Sequence, residues 1–274
     1  MMKSLLNKLM NFADESIFDG DEIVKVDPGR KILFDAISAT RRPDGFATML
    51  VDLLPAKEFK DVFRKRHGVP LTYLHMIIKA GAMIMKKYPW SNYMIEGYRI
   101  IHPSSIDVGI SVAGEEVVTP VVIIRGPDKK SLKEIVEEFR RKTAEAIQDE
   151  AKNLEKLRKI GRLLPINFLR RMIIRYLAAS YRVRRQVVGT VQISMMNTKE
   201  TDLFIPMTVG TAVFMGVGGV ANRPIAVGDT VEVHPSVYVT LLIDHRVWHP
   251  RNGTELAKEF KWIMEHPEEL DKTE

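Results

Sequence analysis

The chain holds seven histidines and no cysteine. A thiol nucleophile, disulfides, thiolate zinc sites and iron–sulfur ligation are therefore excluded. The histidines show no metal-ligand spacing, so no metal is expected. One of them, His245, stands between Asp244 and Arg246 at the end of the apolar run TVEVHPSVYVTLLID (230–244). An imidazole titrates near neutral pH, so a histidine in such a place can take a proton from an incoming nucleophile. By type and place alone such a histidine is usually a surface or satisfied core residue. Fifty-one residues upstream, Ser194 closes the β-rich stretch VVGTVQIS (187–194). Its hydroxyl is either an ordinary strand side chain or a donor aimed at developing negative charge.

A third pattern, Gly216-x-Gly218-Gly219, has the look of a phosphate loop but the wrong context. The residues after it, VANRPIAVGD, read as turn and strand, whereas a dinucleotide loop must open a helix.

These residues are embedded in alternating strands and helices. ATMLVDL, within a mostly extended stretch from Lys31 to Leu54, has the period of a strand, and Pro55 to His67 reads as a charged helix. LHMIIKAGAMIMKKY (74–88) is apolar almost all round, which predicts a buried helix ended by Pro89. DVGISVAGEEVVTPVVII (107–124) predicts two strands about a turn at Gly114. Ser131 and Glu134 form a capping box ahead of the stripe Leu132, Ile135, Val136, Phe139. TAVFMGVG (211–218) adds a strand, and a closing helix is expected from about Thr254. The expected organisation is an N-terminal amphipathic helical appendage over 1–25, ending in an acidic turn, and one α/β domain over 26–274. That domain carries a helical insert at 152–186, broken at Gly161 and Pro165.

Hydrophobic residues make up 45% of the chain and charged residues 28%, a soluble globular balance. Apolar runs fall short of the ~20 residues that cross a bilayer, and the first residues lack the unbroken apolar region of a signal peptide. With no cysteine, a cytoplasmic protein is the expectation. The net charge is +6, yet ten Lys or Arg and no acid lie between Lys156 and Arg185, leaving the rest of the chain at −4. Leu163, Phe168, Met172, Ile173 and Leu177 interleave with those charges. The segment can be a helical pair packed on the domain, an interfacial membrane-binding element, or a surface for an acidic carrier protein or coenzyme A phosphates. It offers no aromatic stacking platform, so nucleic acid is not an expected partner.

Five stretches in order resemble one family. LLIDHRVWHPRNG resembles the DHRxxDG signature of dihydrolipoyl acyltransferase catalytic domains, where chloramphenicol acetyltransferases carry HHxxxDG. GTVQISMMN (189–197) is similar to GTFTISNLG, with about the family's spacing to the histidine. LTYLHMIIKAGAMIMKKYPWSN, DVGISVAGEEVVTPVV and VGGVANRPIAV resemble three further family segments, so the similarity spans roughly Arg30 to Glu268. The resemblance implies an α/β fold, an α+β two-layer sandwich of the chloramphenicol acetyltransferase type. It implies a coenzyme A-dependent acyltransferase with His245 as base and Ser194 as oxyanion donor, facing each other across the interface of a homotrimer. Coenzyme A or its acyl thioester is then the substrate.

The chain also departs from the pattern. The position four residues after the histidine is His249 rather than the family aspartate. With three residues inserted, Asn252-Gly253 takes the place of Asp-Gly, which removes a charge. In chloramphenicol acetyltransferases that aspartate pairs with an early arginine; FDAISATRR (34–42) points to Arg41. No lipoyl domain is expected ahead of the catalytic region. Asp128-Lys129 resembles a lipoyl attachment pair but is expected merely to precede the helix capped by Ser131. The acyl carrier is therefore expected to be free coenzyme A or another protein, with no lipoyl group on this chain. The C-terminal HPEELDKTE is too charged for the apolar hook of large cage-forming cores, so a trimer without a cage is expected. A non-catalytic trimeric scaffold, membrane-peripheral through the basic insert, is the alternative function.

Overall fold

The computed structural model describes residues 20–24, 44–114, 119–163, 167–196, 198–206, 211–247 and 250–272. Ten strands are seen among them: β1 (Glu22–Val24), β2 (Asp44–Asp52), β3 (Met94–Glu96), β4 (Arg99–His102), β5 (Asp107–Ser111), β6 (Val121–Arg125), β7 (Val191–Met195), β8 (Val213–Val217), β9 (Ala221–Val227) and β10 (Thr230–Asp244). The helices are α1 (Leu54–His67), α2 (Tyr73–Lys87), α3 (Leu132–Gln148), α4 (Glu150–Leu163), α5 (Asn167–Ala179), α6 (Tyr181–Val188) and α7 (Pro250–Glu265).

The main sheet runs β2-β10-β8-β7-β5-β6, with β9 folded back on the first half of β10. The β5–β7 and β7–β8 pairs are parallel and the others antiparallel. One face is apolar by the period-2 rule. Val237, Val239, Leu241 and Ile243 of β10 line up with Val191 and Ile193 of β7 and with Val213, Met215 and Val217 of β8, all buried. Helix α2 lies in this layer with Met76, Ile77, Ile78, Ala80 and Ile84 fully buried, and Leu256 and Phe260 of α7 join the same core. The two-layer α+β architecture follows from an apolar sheet face that only helices with apolar stripes cover.

Several expectations hold at the level of single contacts. Ser131 accepts from Glu134 N–H while Glu134 accepts from Ser131 N–H at 2.8 Å, completing the capping box of α3. Pro127–Lys129 is a short 3-10 turn, and Lys79, buried within α2, donates Nζ to the carbonyls of Pro127, Asp128 and Lys130 at 3.3, 3.0 and 2.7 Å. Asp128, with its neighbours Pro127 and Lys130, thus supplies backbone acceptors to a buried ammonium ahead of the capped helix.

Other expectations are corrected. Residues 1–19 and 25 lie outside the described residues, but Glu22–Val24 is a strand paired with β4, not a helix or a turn. Asp21 explains the pairing. Its carboxylate accepts from Tyr181 Oη, from Ser104 N–H and from Arg185 Nη1 at 2.8 and 2.9 Å, and this draws the segment onto the sheet edge. Burial works against that carboxylate, yet the bonds from Tyr181 and Ser104 and the Arg185 charge hold its pKa below the ordinary range. Helix α4 passes through Gly161 unbroken; Pro165 lies outside the described residues. Val187 and Val188 end helix α6, and Gly189, at φ +81°, makes the turn into β7.

The basic segment does not place all its charge in water. Arg184 and Arg185 are buried. Arg185 also donates Nε to Asp107 Oδ2 at 3.0 Å and Nη2 to Ser105 Oγ at 2.9 Å, and Arg125 meets the same Asp107 oxygen at 3.0 Å. These bonds fasten α6, the last helix of the basic segment, to β1 and β5. At the C-terminal end Leu270 is buried in the core of its own chain.

Candidate active site

His245 stands at the first turn residue after β10, half-buried. Its two neighbours hold the turn. Asp244 is buried and accepts from Arg246 N–H at 2.9 Å and from Arg246 Nε at 2.9 and 3.1 Å, while Val247 N–H closes back onto the Asp244 carbonyl. The Asp-His-Arg triplet is thus a clasp. Its acid and base bind each other, and the imidazole is presented between them. Arg184 of α6 extends the electrostatics inward. Burial, weighing more than the opposing Glu96 and Asp244 charges, pushes its guanidinium down to about 10.

The imidazole lies against Gly45 of β2, which pairs with Ile243 of β10. A β-carbon on Gly45 would collide with His245 Nε2 and approach Cδ2 and Cε1 to 3.0 and 3.2 Å. Glycine inside a strand often marks a close approach of this kind. The sequence reading passed over Gly45, although an isolated glycine at the start of a strand pattern is the signal that could have found it.

Ser194 lies elsewhere on the sheet. It pairs with Ser111 of β5 and Gly216 of β8, and Gly216 pairs with Thr240 of β10 and through it with Thr48 of β2. The result is a polar row across the sheet, on the face opposite α2 and α7. Thr48 Oγ1 and Thr240 Oγ1 are 3.0 Å apart. Ser194 is half-buried, and among the described residues its hydroxyl has no hydrogen-bond partner. Gly216, Gly218 and Gly219 each lie against backbone carbonyls of the segment 198–206, where a β-carbon would clash. The glycine cluster therefore lets a loop run along β8 beside Ser194, and binds no phosphate by a helix start.

Within one chain the two residues do not meet. The Ser194 row crosses β10 at Thr240, five residues before His245, and β7 is two strands from β10. At ~3.3 Å per residue and ~4.8 Å between strands the separation is on the order of 15–20 Å. Asn252 is half-buried in the first turn of α7, followed by the buried Gly253. Arg41, His249 and the apolar Trp248 lie outside the described residues. Among the described residues no group of three His, Asp or Glu side chains is placed to hold a metal.

The mixed sheet, with α2 and α7 on one face and His245 at the end of β10, has the fold of solved acyltransferases. A chloramphenicol acetyltransferase superposes with a TM-score of 0.54 at 15% identity, covering 89% of this chain and 99% of that one. A dihydrolipoamide acetyltransferase of Azotobacter vinelandii superposes with a TM-score of 0.64 at 17% identity, covering 91% and 94%. The family of 2-oxoacid dehydrogenases acyltransferase (catalytic domain) matches residues 22–157 and 164–271, and the chain belongs to that family. The match is interrupted only at 158–163, within α4. In sequence the chain is 30% identical over 229 residues to the dihydrolipoyllysine-residue succinyltransferase component of the 2-oxoglutarate dehydrogenase complex of Staphylococcus saprophyticus. That alignment covers 81% of this chain and 46% of the relative, so the chain spans about half the length of the curated relatives it matches.

Proposed function

We propose that this domain moves an acyl group between coenzyme A and a second thiol, with His245 as base and Ser194 as oxyanion donor. The acceptor thiol gives its proton to the His245 ring, and the resulting thiolate attacks the thioester carbonyl carbon. The carbonyl oxygen becomes an oxyanion that accepts from the Ser194 hydroxyl, a contact worth ~3–4 kcal/mol in such sites. Collapse expels the first thiolate, which takes the proton back from the imidazolium. The second thiol belongs to a lipoyl-bearing or other acyl-carrier protein, and the succinyl and acetyl groups named for the relatives are the first acyl groups to try. The domain is assigned to the cytoplasm.

The observation that carries this reading is the separation of Ser194 from His245 within the chain. A base and an oxyanion donor 15–20 Å apart cannot act on one carbonyl, by the register geometry above. Two copies in a closed ring can bring the histidine of one to the serine of the next, and a homotrimer is the simplest ring the family resemblance offers.

Mixing inactive variants tests both claims. His245→Ala and Ser194→Ala should each lose ~10²-fold or more in turnover while folding normally. Co-refolded in equal amounts, they should recover about a quarter of wild-type activity, because one interface in four joins an intact histidine to an intact serine. No recovery on mixing would place the site within one chain. Wild-type protein that binds no acyl-coenzyme A would make it a non-catalytic trimeric scaffold.

A further inference from the structure

We propose that α5 is a membrane-surface helix whose apolar stripe enters the headgroup region of an anionic phospholipid bilayer. Leu169, Met172, Ile173, Tyr176 and Leu177 recur at i, i+3, i+4, i+7 and i+8, the spacing of a face made to be covered. In α2 and α7 such faces are fully buried. In α5, which packs against α6, none of the described residues is buried; Met172 is 49% and Tyr176 43% exposed. Arg175 lies off that stripe and is exposed.

Charge complementarity selects the occupant. Between Lys156 and Arg185 there are ten Lys or Arg and no acid. Arg184 and Arg185 are committed to the interior, as described above, and Arg182 belongs to α6; seven Lys or Arg remain along α4 and α5, with no acid after Lys156. A second copy of the same region would bring seven like charges against them. An anionic bilayer accepts the cations at its headgroups, the stripe at its acyl boundary and the Tyr176 ring between the two. Thirteen residues give a helix of ~20 Å, too short for the ~30 Å hydrocarbon core, so α5 lies on the surface and does not cross it. This inference stands independently of the catalytic reading.

Co-sedimentation of the full chain with phosphatidylcholine vesicles, with and without phosphatidylglycerol, tests it. Binding should require phosphatidylglycerol, and should fall at least ~10-fold between about 0.05 and 0.5 M salt as the attraction is screened. The double variant Met172→Ser, Tyr176→Ser keeps every charge and should bind at least ~10-fold more weakly. Light scattering without vesicles should give the variant and the wild type the same mass. Absence of binding to the anionic vesicles at low salt would overturn the proposal, as would undiminished binding by the double variant. A smaller mass for the variant would also overturn it, by showing that the stripe is a subunit contact.

Discussion

Gly45 and His245, 200 residues apart in the chain, touch so closely that a methyl group on Gly45 would clash with the imidazole nitrogen Nε2. The histidine can therefore lean on the first strand of the main sheet only because that position has no side chain. Gly45→Ala should push the ring aside or cap its nitrogen while leaving the strand intact. A displacement near 1 Å costs ~10²-fold in turnover. The expected result is a fall of that size in kcat with an unchanged KM for acyl-coenzyme A and a near-normal melting temperature. Full activity in Gly45→Ala would show that the nitrogen facing Gly45 takes no part.

Asn252 is the residue proposed to replace the aspartate of the family motif. It sits in the first turn of α7, where an acid is favoured by the helix dipole. Asn252→Asp should raise stability by ~0.3–1 kcal/mol in urea unfolding and change kcat by less than ~10-fold. A much larger gain in kcat would show that the amide holds the enzyme below its capacity.

Arg185 holds two buried carboxylates, Asp21 and Asp107, together with Tyr181 Oη at 2.8 Å. Arg185→Ala would leave both acids buried without their main partner, a loss of ~3–5 kcal/mol by urea titration. Removing the outer partner by Arg125→Ala should cost much less, because Arg125 is half-exposed. Equal effects would mean that the network contributes nothing beyond its surface pair.

His75 closes the capping box of α2. Its Nδ1 accepts from Thr72 N–H at 3.1 Å, which requires the neutral ring, and burial followed by the Lys60 charge lowers its pKa to about 4. Between that value and an unfolded pKa near 6.5 the unfolded chain binds the extra proton. The contribution is complete above pH 6.5 and is lost as the pH falls toward 4, about 2–3 kcal/mol at pH 4.5. His75→Gln keeps a capping residue with no titration. Urea midpoints at pH 7 and 4.5 should therefore converge for His75→Gln relative to wild type, and parallel losses would refute the assignment.

Local and periodic features were legible in the residues alone. The all-round apolar character of 74–88 announced a buried helix, Ser131 and Glu134 announced a helix start, and the alternation of 107–124 announced a hairpin. Asp244-His245-Arg246 marked the candidate base through its resemblance to a family motif, and Asp244 and Arg246, neighbours of the histidine, bind each other in space. Each of these depends on contacts within a few residues, which spacing encodes directly.

What the tertiary structure alone decided involves partners far apart in the chain. A count of charges makes Arg184 and Arg185 look like surface cations. Arg185 is interior because Asp21 and Asp107 lie 164 and 78 residues away in sequence and beside it in space, and Arg184 donates to the carbonyl of Ile95, 89 residues away. The same acids turn Glu22–Val24 into a sheet edge. Ser194 and His245 share a motif pattern, yet strand order places β8 between β7 and β10 and sets the two residues five register rows apart. Burial energies and strand registers arise from which segments meet, and a linear pattern carries no record of that meeting until the sheet closes.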